Sequence, residues 1–238
     1  MTAKAAGRVA VVTGGTGALG ARVVEVLLGQ GVRVHVPWVQ KAEAEALEKA
    51  QGGPLDGLTL AEADVTSAEG VERFFAEVGR REDRLDVLCN VAGGFTATPL
   101  EETSPDAWEH MLRLNATSAF LCARAAVPLM KRAGGGRIVN VTALPAVDRG
   151  AAGMSAYAAS KAAVLSLTYS LARELRKARI SVNAIAPEIM DTPANRRAMP
   201  GADPSTWLDP LDVARVVAFL AGPDGAPVTG SVLTLAQA

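Results

Sequence analysis

The chain has 238 residues, 49% of them hydrophobic, and a formal net charge of −1. That is enough apolar material for one large core, and too even a charge balance for a nucleic-acid or membrane surface. No stretch free of Asp, Glu, Lys and Arg exceeds 14 residues, too short for a helix across a bilayer, and residues 1–7 lack the apolar segment of a secretory signal.

From the N-terminus, residues 8–13 read as a Val-rich strand and 18–28 as a helix. Residues 32–38 form a strand, 41–50 an Ala/Glu-rich helix, and 51–57 a turn-rich loop. Then come a strand at 58–65, a helix at 68–80 and a strand at 85–92. A long helical region follows Pro105 and runs to about Arg132, with a kink expected at Pro128. Residues 137–142 are a strand, 152–178 mostly helix, 180–186 a strand, 211–220 a helix and 231–235 a last strand. The strands are short, apolar and β-branched, as strands buried on both faces are. Their alternation with helices predicts an α/β fold: a Rossmann-type, doubly wound parallel sheet of about seven strands with helices on both faces. The whole chain, 1–238, reads as a single domain. Cys89 and Cys122 fall in apolar segments, which favours buried thiols over a disulfide. With His35 and His110 they show no zinc spacing, so no metal is expected. The one long irregular piece is 187–210, with five Pro. Ligands in this architecture bind beyond the carboxyl ends of the strands, which makes that loop a candidate substrate lid.

Two motifs carry chemistry. Thr13-Gly-Gly-Thr-Gly-Ala-Leu-Gly20 joins the first strand to the first helix. Its missing side chains let the backbone turn sharply and let a pyrophosphate approach a helix N-terminus. Tyr157-Ala-Ala-Ser-Lys161 places a phenol and an ammonium on one helix face. A free phenol, with a pKa of about 10, is a poor acid or base at neutral pH, and a nearby cation would favour its ionised form. Alone, that pair reads more readily as an exposed Tyr and a solvated Lys; the glycine segment reverses that.

Taken together these residues resemble the short-chain dehydrogenase/reductase family, over essentially the whole chain. Its Thr-Gly-x-x-x-Gly-x-Gly is similar to Thr13 to Gly20, its Asn-Asn-Ala-Gly to Asn90-Val91-Ala92-Gly93, and its Tyr-x-x-x-Lys to Tyr157 and Lys161. Its helix-four Asn matches Asn115, and its Pro-Gly then Thr-Pro resembles Pro187-Glu188 and Thr192-Pro193. The resemblance implies an NAD(P)(H)-dependent oxidoreductase. Its cofactor would lie against Gly14, Thr16, Gly17, Ala18, Leu19, Gly20, Trp38, Asp64, Val65, Asn90, Ala92, Gly93, Tyr157, Lys161, Pro187, Ile189 and Thr192. Tyr157 would supply a proton, Lys161 would lower its pKa and hold the nicotinamide ribose, and Asn115 would order a helix bend. Family members also imply a cytoplasmic homotetramer acting on a small molecule, with no nucleic-acid or membrane partner.

The departures matter as much. The family's catalytic Ser lies 13 residues before the Tyr, and here that position is Leu144, preceded by Ala143. Thr142 is the nearest hydroxyl and the candidate surrogate. Losing such a donor costs about 3–4 kcal/mol of transition-state stabilisation. The substrate then either finds another donor or needs less help. Gly14 to Gly20, Val91-Ala-Gly-Gly94 and the string from Asp191 to Trp207 resemble the dihydropteridine reductases, which also lack that Ser and reduce an already activated quinonoid acceptor. The alternatives are an ordinary 3-oxoacyl or carbonyl reductase, and a non-catalytic protein using a nicotinamide nucleotide as a regulatory ligand. Intact Tyr157, Lys161 and Asn115 favour an enzyme. NAD-dependent members carry an acid at the end of strand two. Trp38 stands there instead, with Lys41 close by and Arg33 expected to point away, which favours NADP(H) over NAD(H). Trp38 could equally flank the adenine ring.

Overall fold

A computed structural model describes residues 7–53, 56–148 and 150–237. The first six residues, and residues 54 and 55 of the expected turn, lie outside them. One sheet of seven strands organises the described chain: β1 (Val9–Thr13), β2 (Arg33–Trp38), β3 (Leu58–Glu62), β4 (Val87–Asn90), β5 (Gly136–Val141), β6 (Ile180–Pro187) and β7 (Val232–Leu235). Their spatial order is β3-β2-β1-β4-β5-β6-β7, and every pairing is parallel. This is the Rossmann-like α/β fold that the alternation predicts.

Strand periodicity distributes the core. Ala10 and Val12 face one layer with α1 (Ala18–Gly29), α2 (Lys41–Ala50) and α9 (Pro210–Ala221). Val9 and Val11 face the other, with α3 (Ala68–Glu82), α5 (Ser118–Arg132) and α7 (Ser155–Glu174). Successive strand side chains point to opposite faces, so a run of Val feeds both layers at once. Cys89 and Cys122 are buried, unbonded members of these layers, and burial pushes both thiols up to about 12.

The chain order leaves β1 outward to β2 and β3, then returns to place β4 on the other side of β1. The two strands pair with Thr13 opposite Asn90. That reversal opens a crevice at their carboxyl ends, the topological switch point where this architecture binds ligands. Both the glycine segment and the loop after β4 start there.

The helical region after Pro105 runs unbroken to Arg132 as expected, as α4 (Pro105–Met111), a wide π turn (Leu112–Thr117) and α5, and α5 continues through Pro128. A short helix, α6 (Leu144–Val147), follows β5. The loop at 187–210 is folded: α8 (Pro193–Ala198) starts from a Thr192 cap and a Pro at its first turn, and Met190 bridges to Leu208. Asp191 holds Arg196 through two hydrogen bonds of 2.5 and 2.6 Å, and Trp207 is buried. Dense Pro reads as irregular chain, but Pro at a helix start is a start signal.

Candidate active site

The glycine segment turns between β1 and α1. Gly14 has φ +63°, and a Cβ on it would lie 2.7 Å from the Ala92 nitrogen. A Cβ on Gly20 would lie 2.0 Å from the Gly14 carbonyl oxygen, so the turn needs both glycines to close. Gly17 differs. It adopts ordinary extended backbone at the N-cap of α1, and a Cβ there would meet only the Gly14 oxygen, at 3.4 Å. Helix α1 has no side-chain cap and no acid in its first turn. Its first N–H groups are thus open to an anion beside the exposed Gly17 and Ala18, while Leu19 points into the core.

Thr13, part of the motif but given no role from sequence, couples this turn to the next strand. Its hydroxyl oxygen accepts from the backbone N–H groups of Val91 and Ala92, both at 3.1 Å. Asn90 is turned the other way. Its amide nitrogen donates to Asn140 at 2.8 Å, while its buried side-chain oxygen has no hydrogen-bond partner among the described residues. Asp64 accepts from the Thr66 N–H and hydroxyl, both at 2.8 Å, in an exposed turn after β3, the outer strand of the sheet. The Val65 side chain packs towards α3 and α5, and half-buried Trp38 ends β2.

The reacting end is built on α7. Tyr157 is half-buried, with the Phe95 ring edge-on at 4.9 Å, a contact the sequence did not reveal. Lys161 is buried one turn further on, and its ammonium donates to the Val141 carbonyl at 2.9 Å. Asn115 sits in the π turn. Its side chain accepts from the Gly94 N–H at 3.0 Å, and donates to the Gly94 carbonyl at 3.1 Å and the Ser160 hydroxyl at 2.9 Å. These bonds to distant segments hold the wide turn open. Ser160, which also donates to the Tyr157 carbonyl at 2.7 Å, is a positioning residue hidden inside the Tyr-x-x-x-Lys spacing. A Cβ on Gly93 would lie 2.5 Å from the Asn115 oxygen and 3.1 Å from the Lys161 nitrogen. Only glycine leaves that corner open.

One expectation fails here. Thr142 is buried, and its hydroxyl donates to the Lys161 carbonyl at 2.8 Å. It ties β5 to α7, and its proton is not offered to a substrate. Ala143 and Leu144 have no hydroxyl, so the stretch that should carry the family's Ser presents no donor side chain. Burial pushes the Tyr157 phenol up to about 12 and the Lys161 ammonium down to about 8. Tyr157 therefore carries its proton at neutral pH.

On the far side, Pro187 ends β6, Ile189 is exposed and Thr192 is buried, its hydroxyl accepting from the Asn195 N–H at 3.1 Å. The residues fit a nicotinamide dinucleotide: an uncapped helix N-terminus beside an open Gly17, then a crevice ending at Gly93, Lys161 and Tyr157. Among the described residues, no group of three His, Cys, Asp or Glu could hold a metal, and no helix is long and apolar enough to cross a membrane.

Comparison with known proteins agrees with this geometry. Residues 8–202 match the family described as short chain dehydrogenase. The chain is 32% identical to the rhamnolipids biosynthesis 3-oxoacyl-[acyl-carrier-protein] reductase of Pseudomonas aeruginosa, covering 97% of this chain and 95% of that protein. It is 33% identical to the cyclopentanol dehydrogenase of Comamonas sp., over 96% and 95% of the two chains. A solved short-chain dehydrogenase/reductase of Serratia marcescens, a doubly substituted mutant, superposes with a TM-score of 0.88 at 29% identity, covering 98% of each chain.

Proposed function

The chain belongs to the short chain dehydrogenase family and is an oxidoreductase, and we propose that it reduces a small, activated C=N or C=O acceptor, with a quinonoid dihydropteridine favoured over a simple ketone. Bound in the crevice, a reduced nicotinamide supplies the hydride. Tyr157 gives the proton to the acceptor as general acid. Lys161 would hold the nicotinamide ribose and keep a positive charge at the reacting end, and Asn115 with Ser160 fixes the α7 segment that carries Lys161 and Tyr157. Phe95, edge-on to Tyr157, and Ile189, in the candidate lid 187–210, offer exposed apolar surface suited to a flat substrate.

The observation that carries this reading is the missing donor. An ordinary ketone needs its oxygen held as charge develops, and the Thr142 hydroxyl already donates its hydrogen bond to the Lys161 carbonyl. An activated acceptor tolerates that loss. The string from Asp191 to Trp207, resembling dihydropteridine reductases, points the same way. The relatives named for 3-oxoacyl-carrier and cyclopentanol substrates support the second reading, an ordinary carbonyl reductase.

A steady-state panel separates them. Loss of reduced-nicotinamide absorbance is followed with quinonoid dihydropteridine, a 3-oxoacyl thioester and cyclopentanone. We expect kcat/KM for the dihydropteridine to exceed the others by at least tenfold, which corresponds to about 1.4 kcal/mol of barrier. Equal or faster ketone turnover would select the carbonyl reductase reading. Tight nucleotide binding without turnover on any acceptor would select the regulatory binder.

We also propose a homotetramer. Phe120 on α5 and Tyr169 on α7 are large apolar side chains left exposed on helices that a two-fold axis could pair. Light scattering at micromolar concentration should give the mass of four chains; a monomer mass counts against the assembly.

A further inference from the structure

We propose that Glu43 sets the cofactor preference, so that this chain selects NAD(H) over NADP(H). The inference rests on the dinucleotide site proposed above, and it reverses the preference that Trp38 and Lys41 suggest in the sequence.

Glu43 is the third residue of α2, five positions beyond the strand end where the family carries its acid. The Thr16 hydroxyl, in the loop between β1 and α1, donates to the Glu43 carboxylate at 2.9 Å. The contact puts that carboxylate across the crevice between the carboxyl ends of β1 and β2, which are neighbours in the sheet. In this architecture the adenosine ribose lies there. A ribose 2′-hydroxyl can donate a hydrogen bond to the carboxylate, much as Thr16 does. A 2′-phosphate would instead meet a like charge and have no hydroxyl proton to offer.

The groups that could offset such a clash are engaged elsewhere. The Lys41 ammonium is exposed and lies 3.7 Å from Glu45, its neighbour one turn along α2. Arg33 reaches the other end of the sheet, where its Nε donates to Glu82 at 2.8 Å. The α2 N-terminus would itself attract a phosphate, but Glu43 occupies its first turn and offsets that dipole end. Glu62, in register with Trp38, adds a further exposed carboxylate on the strand beside it. Trp38 is thus not an unguarded gap in the family's pattern. The guard has moved onto the next helix and is held by Thr16.

Binding, not turnover, tests this. Isothermal titration of NADH and NADPH into the wild type, Glu43→Gln and Lys41→Ala gives six dissociation constants. Titrating 5′-AMP and 2′,5′-ADP isolates the adenosine end. We expect the wild type to bind NADH at least about tenfold more tightly than NADPH. Glu43→Gln should bring the two within about threefold, by weakening NADH and tightening NADPH. Lys41→Ala should leave the wild-type ratio unchanged. Raising NaCl from ~0.05 to ~0.5 M should narrow the ratio, since the repulsion is between exposed charges and the Debye length falls from roughly 14 to roughly 4 Å. NADPH binding as tightly as NADH in the wild type would overturn the proposal while leaving the dinucleotide site intact. So would a ratio that survives Glu43→Gln, which would reduce the Thr16 contact to a tether between loop and helix. If neither dinucleotide bound, the site itself and this inference would fall together.

Discussion

Tyr157→Phe should lower kcat for any ketone by about 10²–10⁴-fold, while a quinonoid dihydropteridine should lose markedly less. The difference follows from when the proton is needed. A ketone oxygen builds negative charge as hydride arrives, and here no Thr142 hydroxyl shares that charge. Tyr157 is then the main source of relief. An activated acceptor takes hydride before protonation is complete. The pH dependence has a definite sign. Burial holds the phenol at about 12, so the acid form persists across the neutral range, and it holds Lys161 down to about 8. A lowered Lys pKa means that positive charge is present below about pH 8 and lost above it. Reductive kcat/KM should be level to about that pH and then fall, whereas alcohol oxidation, which needs the phenolate, should rise. Thr142→Val is the control. It removes the second hydrogen bond on the Lys161 carbonyl, which keeps its helical N–H partner in α7, and should cost about 0.5–1.5 kcal/mol of stability, with less than a tenfold change in ketone kcat. A Thr142→Val enzyme as impaired on ketones as Tyr157→Phe would make Thr142 the surrogate donor, and the activated-acceptor reading would lose its support.

How much of this was legible in the chain depends on the range of the forces involved. Strand positions and the two core layers follow from local alternation, which is why β1 through β7 fall where short apolar runs lie. The glycine turn and the Tyr157–Lys161 spacing are also local. The π turn at 112–117 is not. Nothing in Leu-Arg-Leu-Asn-Ala-Thr breaks a helix, and the widening answers to Asn115 bonding Gly94 and Ser160, each remote in sequence. The same is true of Glu43, whose partner Thr16 lies on another crossover. Thr142 is a different failure. Strand period two puts it on the face of Asn140, whose amide donates to Thr168 on α7 at 2.9 Å. Two residues on, Thr142 bonds α7 as well. Its hydroxyl is taken up by the α7 backbone, a long-range contact that nearness in sequence to the missing Ser does not reveal.

Gly17→Val should abolish nucleotide binding without unfolding the protein. The contrast among the glycines makes this the sharper test of the cofactor site. Replacing Gly14 forces a side chain onto a positive φ and to within 2.7 Å of the Ala92 nitrogen, and Gly20→Ala drives a Cβ to 2.0 Å from the Gly14 oxygen. Either variant would lose binding by distorting the turn, which says little about a ligand. At Gly17 the backbone is extended, φ −79° and ψ 171°, and accepts any residue. The nearest protein atom to a new Cβ is 3.4 Å away. Folding should therefore lose no more than about 1 kcal/mol, from a poorer cap on α1. The methyl groups would stand over the first N–H groups of α1, where a pyrophosphate must approach to within hydrogen-bond distance. Displacing it by even one ångström removes the charge-assisted bonds that hold it. We expect the dissociation constant for NADH to rise by at least 100-fold, equivalent to about 2.7 kcal/mol, with a Tm within a few degrees of the wild type. Unchanged affinity in a folded Gly17→Val protein would mean that this glycine faces solvent and nothing else, and that the nucleotide does not lie along the Gly14–Gly20 turn.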